Sequence, residues 1–188
     1  MEQETYKKLY QEFLKGNNSS FEKIVIKHKD KLIYFISTYV KNIDIAEDIA
    51  QDVFVYILVH RVNYDFKYSL KTYLFTIAKS KALNYIKREK KIIYKEDINE
   101  LDYLNNSNTH ELEEIVFANE KKQNLYKTIN KLKTNYREAI YLADIEELKY
   151  SEIGKILKKS QSSTKVLIHR ARKELEKLIR KESEKYEG

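Results

Sequence analysis

The chain predicts an all-α fold in two small helical domains, and three features of the sequence carry that expectation. Proline is absent and only three glycines occur in 188 residues, so little breaks a helix or builds a tight hairpin. Leu, Ile, Lys and Glu recur at spacings of three and four along most of the chain, the period of amphipathic helices. Between Asp97 and Asn108 that period lapses, and Asn105-Asn-Ser-Asn108 is polar and turn-prone, which marks a flexible tether.

Taken in order, a first helix is expected from about Gln3 to Leu14, ended by Gly16-Asn-Asn-Ser-Ser20. Ser19 with Glu22 has the spacing of a capping box. The stripe Phe21, Ile24, Val25, Leu32, Phe35, Ile36, Tyr39 and Val40 then gives one helix a core-facing side. Asp44 with Glu47 is a second start signal, Asp44 being the expected N-cap, and Ile45, Ile49, Val53 and Ile57 continue the apolar face. After Arg61 the pattern breaks at the aromatic loop Asn63-Tyr-Asp-Phe-Lys-Tyr-Ser69, and it resumes at Leu70, Leu74, Ile77, Ala78, Ala82 and Tyr85. The first domain is therefore placed at 1–92, an acidic linker at 93–118, a second domain at 119–182 and a tail at 183–188.

The later helical set begins near Glu111 and runs through Leu112, Val116, Leu125, Ile129 and Leu132. Asn135 with Glu138 should cap a helix carrying Ala139, Ile140 and Leu142. A helix-turn-helix completes the pattern. Its first helix, from about Tyr150 to Leu157, presents Ile153, Ile156 and Leu157, and its turn is Lys158-Lys-Ser160 with Ser160 as the next N-cap. In the second helix Thr164, Ile168, Ala171, Leu175 and Leu178 share the buried face. Gly154 falls where the two helices must approach closely, and only a small residue fits there.

Charge narrows the function classes. The formal charge is +7 and the pI about 9.2, which favours a polyanionic partner. Residues 79–91 hold six bases against one acid, and residues 155–181 hold ten against two. Between them, residues 92–120 hold eight acids against one base, so two basic contact surfaces flank an acidic spacer. No apolar run approaches the roughly 20 residues needed to span a bilayer, and no signal-peptide pattern opens the chain. Cysteine is absent, the histidines His28, His60, His110 and His169 are scattered, and no glycine loop could cradle phosphate. An enzyme is not expected, nor are a catalytic site, a metal or a cofactor. The cytoplasm is the expected location.

Three surfaces stand out. Along Asp44-Ile-Ala-Glu-Asp-Ile-Ala-Gln-Asp-Val-Phe54, helical geometry puts Glu47, Asp48, Gln51 and Asp52 on one acidic strip with Val55 beside it. Alone, such a strip reads as a solvated helix face, and no histidine accompanies it to suggest a metal. On the following basic helix Tyr73, Thr76, Ser80, Asn84, Lys87, Arg88 and Lys91 share a side, hydrogen-bonding groups first and cations last. That order suits base edges and then phosphates. Tyr64, Phe66 and Tyr68 in the loop before it either stack on an extruded base or fill the core beneath the loop. In the helix-turn-helix, Ser162, Lys165, Val166, His169, Arg170 and Lys173 face outward, as a recognition helix requires.

In this order and spacing these segments resemble the bacterial RNA polymerase sigma factors of the extracytoplasmic-function (ECF) type. The resemblance covers about residues 21–91 and 125–178 and implies the region 2 bundle and the region 4 helix-turn-helix. It implies that Glu47, Asp48, Gln51, Asp52 and Val55 dock on the β′ coiled coil of core polymerase. The segment from Tyr73 to Arg88 is similar to the part that melts and reads the minus-ten element. The residues implied there are Asn63, Tyr64, Phe66, Tyr68, Tyr73, Lys79, Ser80, Asn84, Lys87 and Arg88. Gln161, Ser162, Ser163, Lys165, Val166, His169 and Arg170 sit where the family contacts the minus-thirty-five element.

Several positions depart from the family pattern. Tyr73 stands for the usual Trp and keeps an aromatic wedge, while Ser80 and Asn84 stand for Asn and Asp. Lys158 replaces the usual Gly, Lys159 an apolar residue and Leu167 a common Arg. All lie in DNA-reading segments and none in the acidic strip. The implied partners are core RNA polymerase through its β′ and β subunits, promoter DNA, and an anti-sigma protein that is commonly membrane-associated; no small-molecule substrate is implied. A stand-alone helix-turn-helix regulator, with the N-terminal part as a dimerisation module, is the other reading of the residues.

Overall fold

The structure is a computed structural model and describes residues 2–93 and 120–186. The expected linker at 93–118, apart from Ile93, lies outside the described residues, as do Leu112 and Val116. The chain divides into two compact units, Met1–Thr109 and His110–Gly188. Every described element is helical.

In the first unit α1 (Glu2–Leu14), α2 (Asn18–Val40), α3 (Ile43–Val59) and α4 (Leu70–Ile93) pack around α2. Helix α2 is buried nearly all round over 32–38, beyond the single stripe its periodicity predicts, because α1, α3 and α4 each cover a side. Both expected caps are displaced. The cap of α2 is Asn17, whose Oδ1 accepts from the Ser20 amide at 3.3 Å, instead of the Ser19–Glu22 box. The cap of α3 is Asn42, whose Oδ1 accepts from the Ile45 amide at 3.1 Å. Asp44 instead sits in the first turn, where its charge meets the positive end of the helix dipole. In both cases the asparagine is the residue with extended backbone, as an N-cap must be. Of the predicted α3 face, Ile49, Val53 and Ile57 are buried and Ile45 is half-buried.

The second unit contains α5 (Glu120–Asn130), α6 (Thr134–Ile140), α7 (Tyr150–Leu157) and α8 (Gln161–Tyr186), with a π-helical turn over Tyr141–Ile145 between α6 and α7. Tyr126, Ile129 and Leu132 form its core together with Ala139, Ile140 and Leu142, but Leu125 is exposed. Helix α6 starts after Lys133 without a side-chain cap, not at Asn135, and Glu138 is buried instead of capping. Arg137 ties this corner down, donating from one nitrogen to the carbonyls of Asn130 and Leu132. Ser160 does cap α8, its Oγ accepting from the Ser163 amide at 3.2 Å. Thr164, Ile168 and Ala171 are buried, while Leu175 and Leu178 are half-buried. Helix α8 continues through Tyr186, past the expected domain end at 182.

Candidate polymerase and nucleic-acid surfaces

The acidic strip lies on the solvent side of α3. Asp48, Gln51, Asp52 and Val55 are exposed and Glu47 is half-buried. Asp52 Oδ2 lies 3.4 Å from Lys81 Nζ on α4, and the same ammonium stands 5.9 Å from the centroid of Tyr56. Lys81 thus faces α3 and not the side of α4 that bears Ser80, Asn84, Lys87 and Arg88. The strip continues into apolar surface that the periodicity argument missed: Leu58, Val59 and Val62 are 48%, 68% and 80% exposed. The signal was available in the spacing, since Val55, Leu58, Val59 and Val62 repeat at three and four.

On α4, Ser80, Asn84, Lys87 and Arg88 are exposed on one side, with Tyr73 half-buried at its start. Lys79 does not join them. It lies about a third of a turn away, and its ammonium stands 5.7 Å from the centroid of Tyr39. Ser69 begins this helix, its Oγ accepting from the Thr72 amide at 3.2 Å.

The aromatic loop is not uniformly available. Tyr64 is buried at 6% exposure, its hydroxyl donates to the Tyr68 carbonyl at 2.7 Å, and its ring stacks on Tyr73 at 5.1 Å. Tyr64 therefore shapes the loop and is no exposed stacking platform. Phe66 and Tyr68 are half-buried and Asn63 is exposed. Burial raises the phenol pKa of Tyr73, with smaller contributions from Tyr56 and Asp65.

In the second unit Gln161, Ser162, Ser163, Lys165, Val166, His169 and Arg170 are all exposed along α8. Between this helix and the start of α6 lies a depression of about 490 Å³ bordered by Asn135, Tyr136, Lys159, Ser163 and Arg170. Asn135, Tyr136 and Lys159 thereby lie beside the exposed face of α8, a neighbourhood the linear pattern did not reveal. Leu167 is half-buried, and Arg172 is held by Asp144 across the unit and so drawn away from the basic face. Lys158 adopts the left-handed conformation, φ 54°, at the turn. Among the described residues no group of three His, Asp or Glu side chains converges as a metal site.

Both units match known protein families. Residues 24–92 match the family model for sigma-70 region 2, and residues 122–175 match that for sigma-70 region 4. The ECF RNA polymerase sigma factor SigW of Bacillus subtilis (strain 168) is 30% identical over 180 residues, 93% of this chain and 96% of SigW. The chain belongs to the ECF sigma-factor family.

This sigma factor is also similar to the RNA polymerase sigma factor YlaC of the same organism, 28% identical over 89% of the chain and 96% of YlaC. The sigma-E factor of Escherichia coli (strain K12) is 25% identical over 95% of the chain and 96% of that relative. Two solved structures share the fold. The RpoE–NepR complex from Bartonella quintana has TM-score 0.65 at 20% identity, covering 85% of this chain and 96% of RpoE. CnrH, solved with the cytosolic domain of CnrY, has TM-score 0.63 at 22% identity, covering 93% of this sigma factor and 97% of CnrH. NepR is an anti-sigma factor. No described helix is long and apolar enough to cross a membrane.

Proposed function

We propose that this sigma factor docks on the β′ coiled coil of core polymerase through Glu47, Asp48, Gln51, Asp52 and Val55, and carries the enzyme to promoters. The observation that carries the docking assignment is the exposure of Asp48, Gln51, Asp52 and Val55 on one face of α3, backed by a buried apolar face. The α4 side bearing Ser80, Asn84, Lys87 and Arg88 meets the minus-ten element, with Phe66 and Tyr68 receiving an unstacked base. The α8 side from Gln161 to Arg170 enters the major groove at the minus-thirty-five element, short hydroxyls toward bases and cations toward phosphates. These steps occur in the cytoplasm, where the polymerase works. An anti-sigma partner restrains the factor by covering these faces, a reading supported by the anti-sigma complex of its structural neighbour RpoE.

The deciding experiment mixes purified core polymerase with the full chain, wild type or Asp48→Lys with Asp52→Lys. The double variant should stay folded and fail to form holoenzyme; normal assembly sinks the assignment of this face. The free chain should bind duplex promoter poorly, because core polymerase sets the spacing of the two DNA-reading units. Tight sequence-specific binding by free protein points instead to a stand-alone regulator.

A further inference from the structure

Helix α1 lies upstream of the segment matched to sigma-70 region 2, yet its chemistry is directed at the aromatic loop. Tyr10 is fully buried and its hydroxyl donates to the Arg61 carbonyl at 2.9 Å, at the start of that loop. Its ring meets Tyr64 edge-on at 4.9 Å and Phe66 edge-on at 5.9 Å. Tyr64 in turn contacts Phe66 at 4.6 Å and closes the loop through the Tyr68 carbonyl. At the centre of these contacts Phe66 has φ 58°, a left-handed conformation that a bulky side chain adopts only when its surroundings hold it there. Within the loop itself, the Lys67 amide donates to Asp65 Oδ1 at 3.0 Å.

We propose that Tyr10 is a positioning residue for promoter opening: its hydrogen bond to the Arg61 carbonyl ties the chain entering the loop to α1 and so keeps Phe66 in its strained conformation against the Tyr10 ring, so that the loop is set before an extruded base arrives. The inference rests on the minus-ten reading of the loop given above. Capturing a base requires unstacking it from the duplex, a cost the protein must recover from the contacts it offers. A loop that must first be ordered loses part of those contacts to conformational entropy; a loop already braced does not. The brace matters most while the duplex is still closed. On DNA that is already open it matters little.

The test uses holoenzyme assembled from core polymerase and the full chain, wild type or Tyr10→Phe, on a promoter recovered from transcripts it makes on genomic DNA. Tyr10→Phe keeps the buried ring and removes only the hydrogen bond to Arg61. Permanganate reactivity of the minus-ten thymines is followed on duplex and on the same promoter pre-opened by mismatches. The variant should form open complexes about fivefold more slowly on duplex, the worth of one neutral hydrogen bond. It should stay within about twofold of wild type on the pre-opened template and bind core polymerase normally. No loss on duplex, or an equal loss on both templates, overturns the proposal. Phe66→Ala with Tyr68→Ala separates the two levels. If that pair loses opening while Tyr10→Phe does not, only the brace fails; if that pair opens duplex normally, the minus-ten reading of the loop fails with it.

Discussion

A Cβ placed on Gly154 would stand 2.7 Å from the carbonyl oxygen of Lys159 and 3.2 Å from Thr164 Oγ1. The first contact is with backbone and cannot be relieved by a rotamer change. Gly154→Ala should therefore open the angle between α7 and α8 and cost about 1–3 kcal/mol, the range for overpacking. A lower urea midpoint for the second unit checks this, and unchanged stability would mean that the turn can shift without loss.

Lys158 predicts the opposite sign. Its φ of 54° places an L side chain in the left-handed well, where the family resemblance expects Gly. The conformation costs about 1–2 kcal/mol for an ordinary residue, so Lys158→Gly should stabilise the protein by about 1 kcal/mol, part of the gain being lost to chain entropy. Thermal unfolding would register it as a higher midpoint.

The Asp52–Lys81 pair is exposed, and pairs of this kind contribute about 1 kcal/mol or less. Lys81→Ala should leave the unfolding curve almost unchanged. It should not weaken holoenzyme formation, because the Asp52 carboxylate proposed to meet the polymerase remains. A clear loss of core binding by Lys81→Ala would instead make the lysine part of the docking surface.

His28 should make stability depend on pH. Its side chain is 1% exposed, its Nε2 has no hydrogen-bond partner, and its ring lies 4.9 Å from Tyr6. Burial first, then the nearby Lys31, Lys71 and Lys27, pushes its pKa from 6.5 down to about 3. Between those values the unfolded chain takes up a proton that the folded chain refuses, so stability falls as pH drops from 6.5 and is fully present above it. Urea midpoints measured from pH 7 to 4 should decline less steeply for His28→Phe than for wild type.

Arg170 is exposed on α8 beside the depression it shares with Asn135 and Lys159. If it neutralises one phosphate, Arg170→Ala should lower the slope of log affinity against log salt for holoenzyme on promoter DNA by about 1. An unchanged slope would assign Arg170 to base reading or to no contact.

Much of the molecule was legible in local pattern. The 3.6-residue period located each described α-helix, though not the π-helical turn at Tyr141–Ile145, and the same geometry put Asp48, Gln51 and Asp52 on the outside of α3 and Thr164, Ile168 and Ala171 on the inside of α8. Gly154 was legible too, because a close helix crossing demands a residue without a Cβ.

What depended on the path of the chain was not legible. Asn17 and Asn42, and not Ser19 and Asp44, cap their helices, since a cap is chosen by which residue has extended backbone when the helix begins. Tyr64 fills the core although Asn63 and Asp65 face solvent, and Lys79 turns to Tyr39, because rings on α1 and α2 arrive there from distant parts of the chain. By itself the sequence determined the helices and most of their faces, which follow from short-range spacing, and its ordered segments carried the resemblance to the family. Only the tertiary structure decided that Tyr64 is buried while Phe66 and Tyr68 are half-buried, and that the Tyr10 hydroxyl reaches the Arg61 carbonyl 51 residues on; burial and long-range hydrogen bonds exist only once the helices have packed.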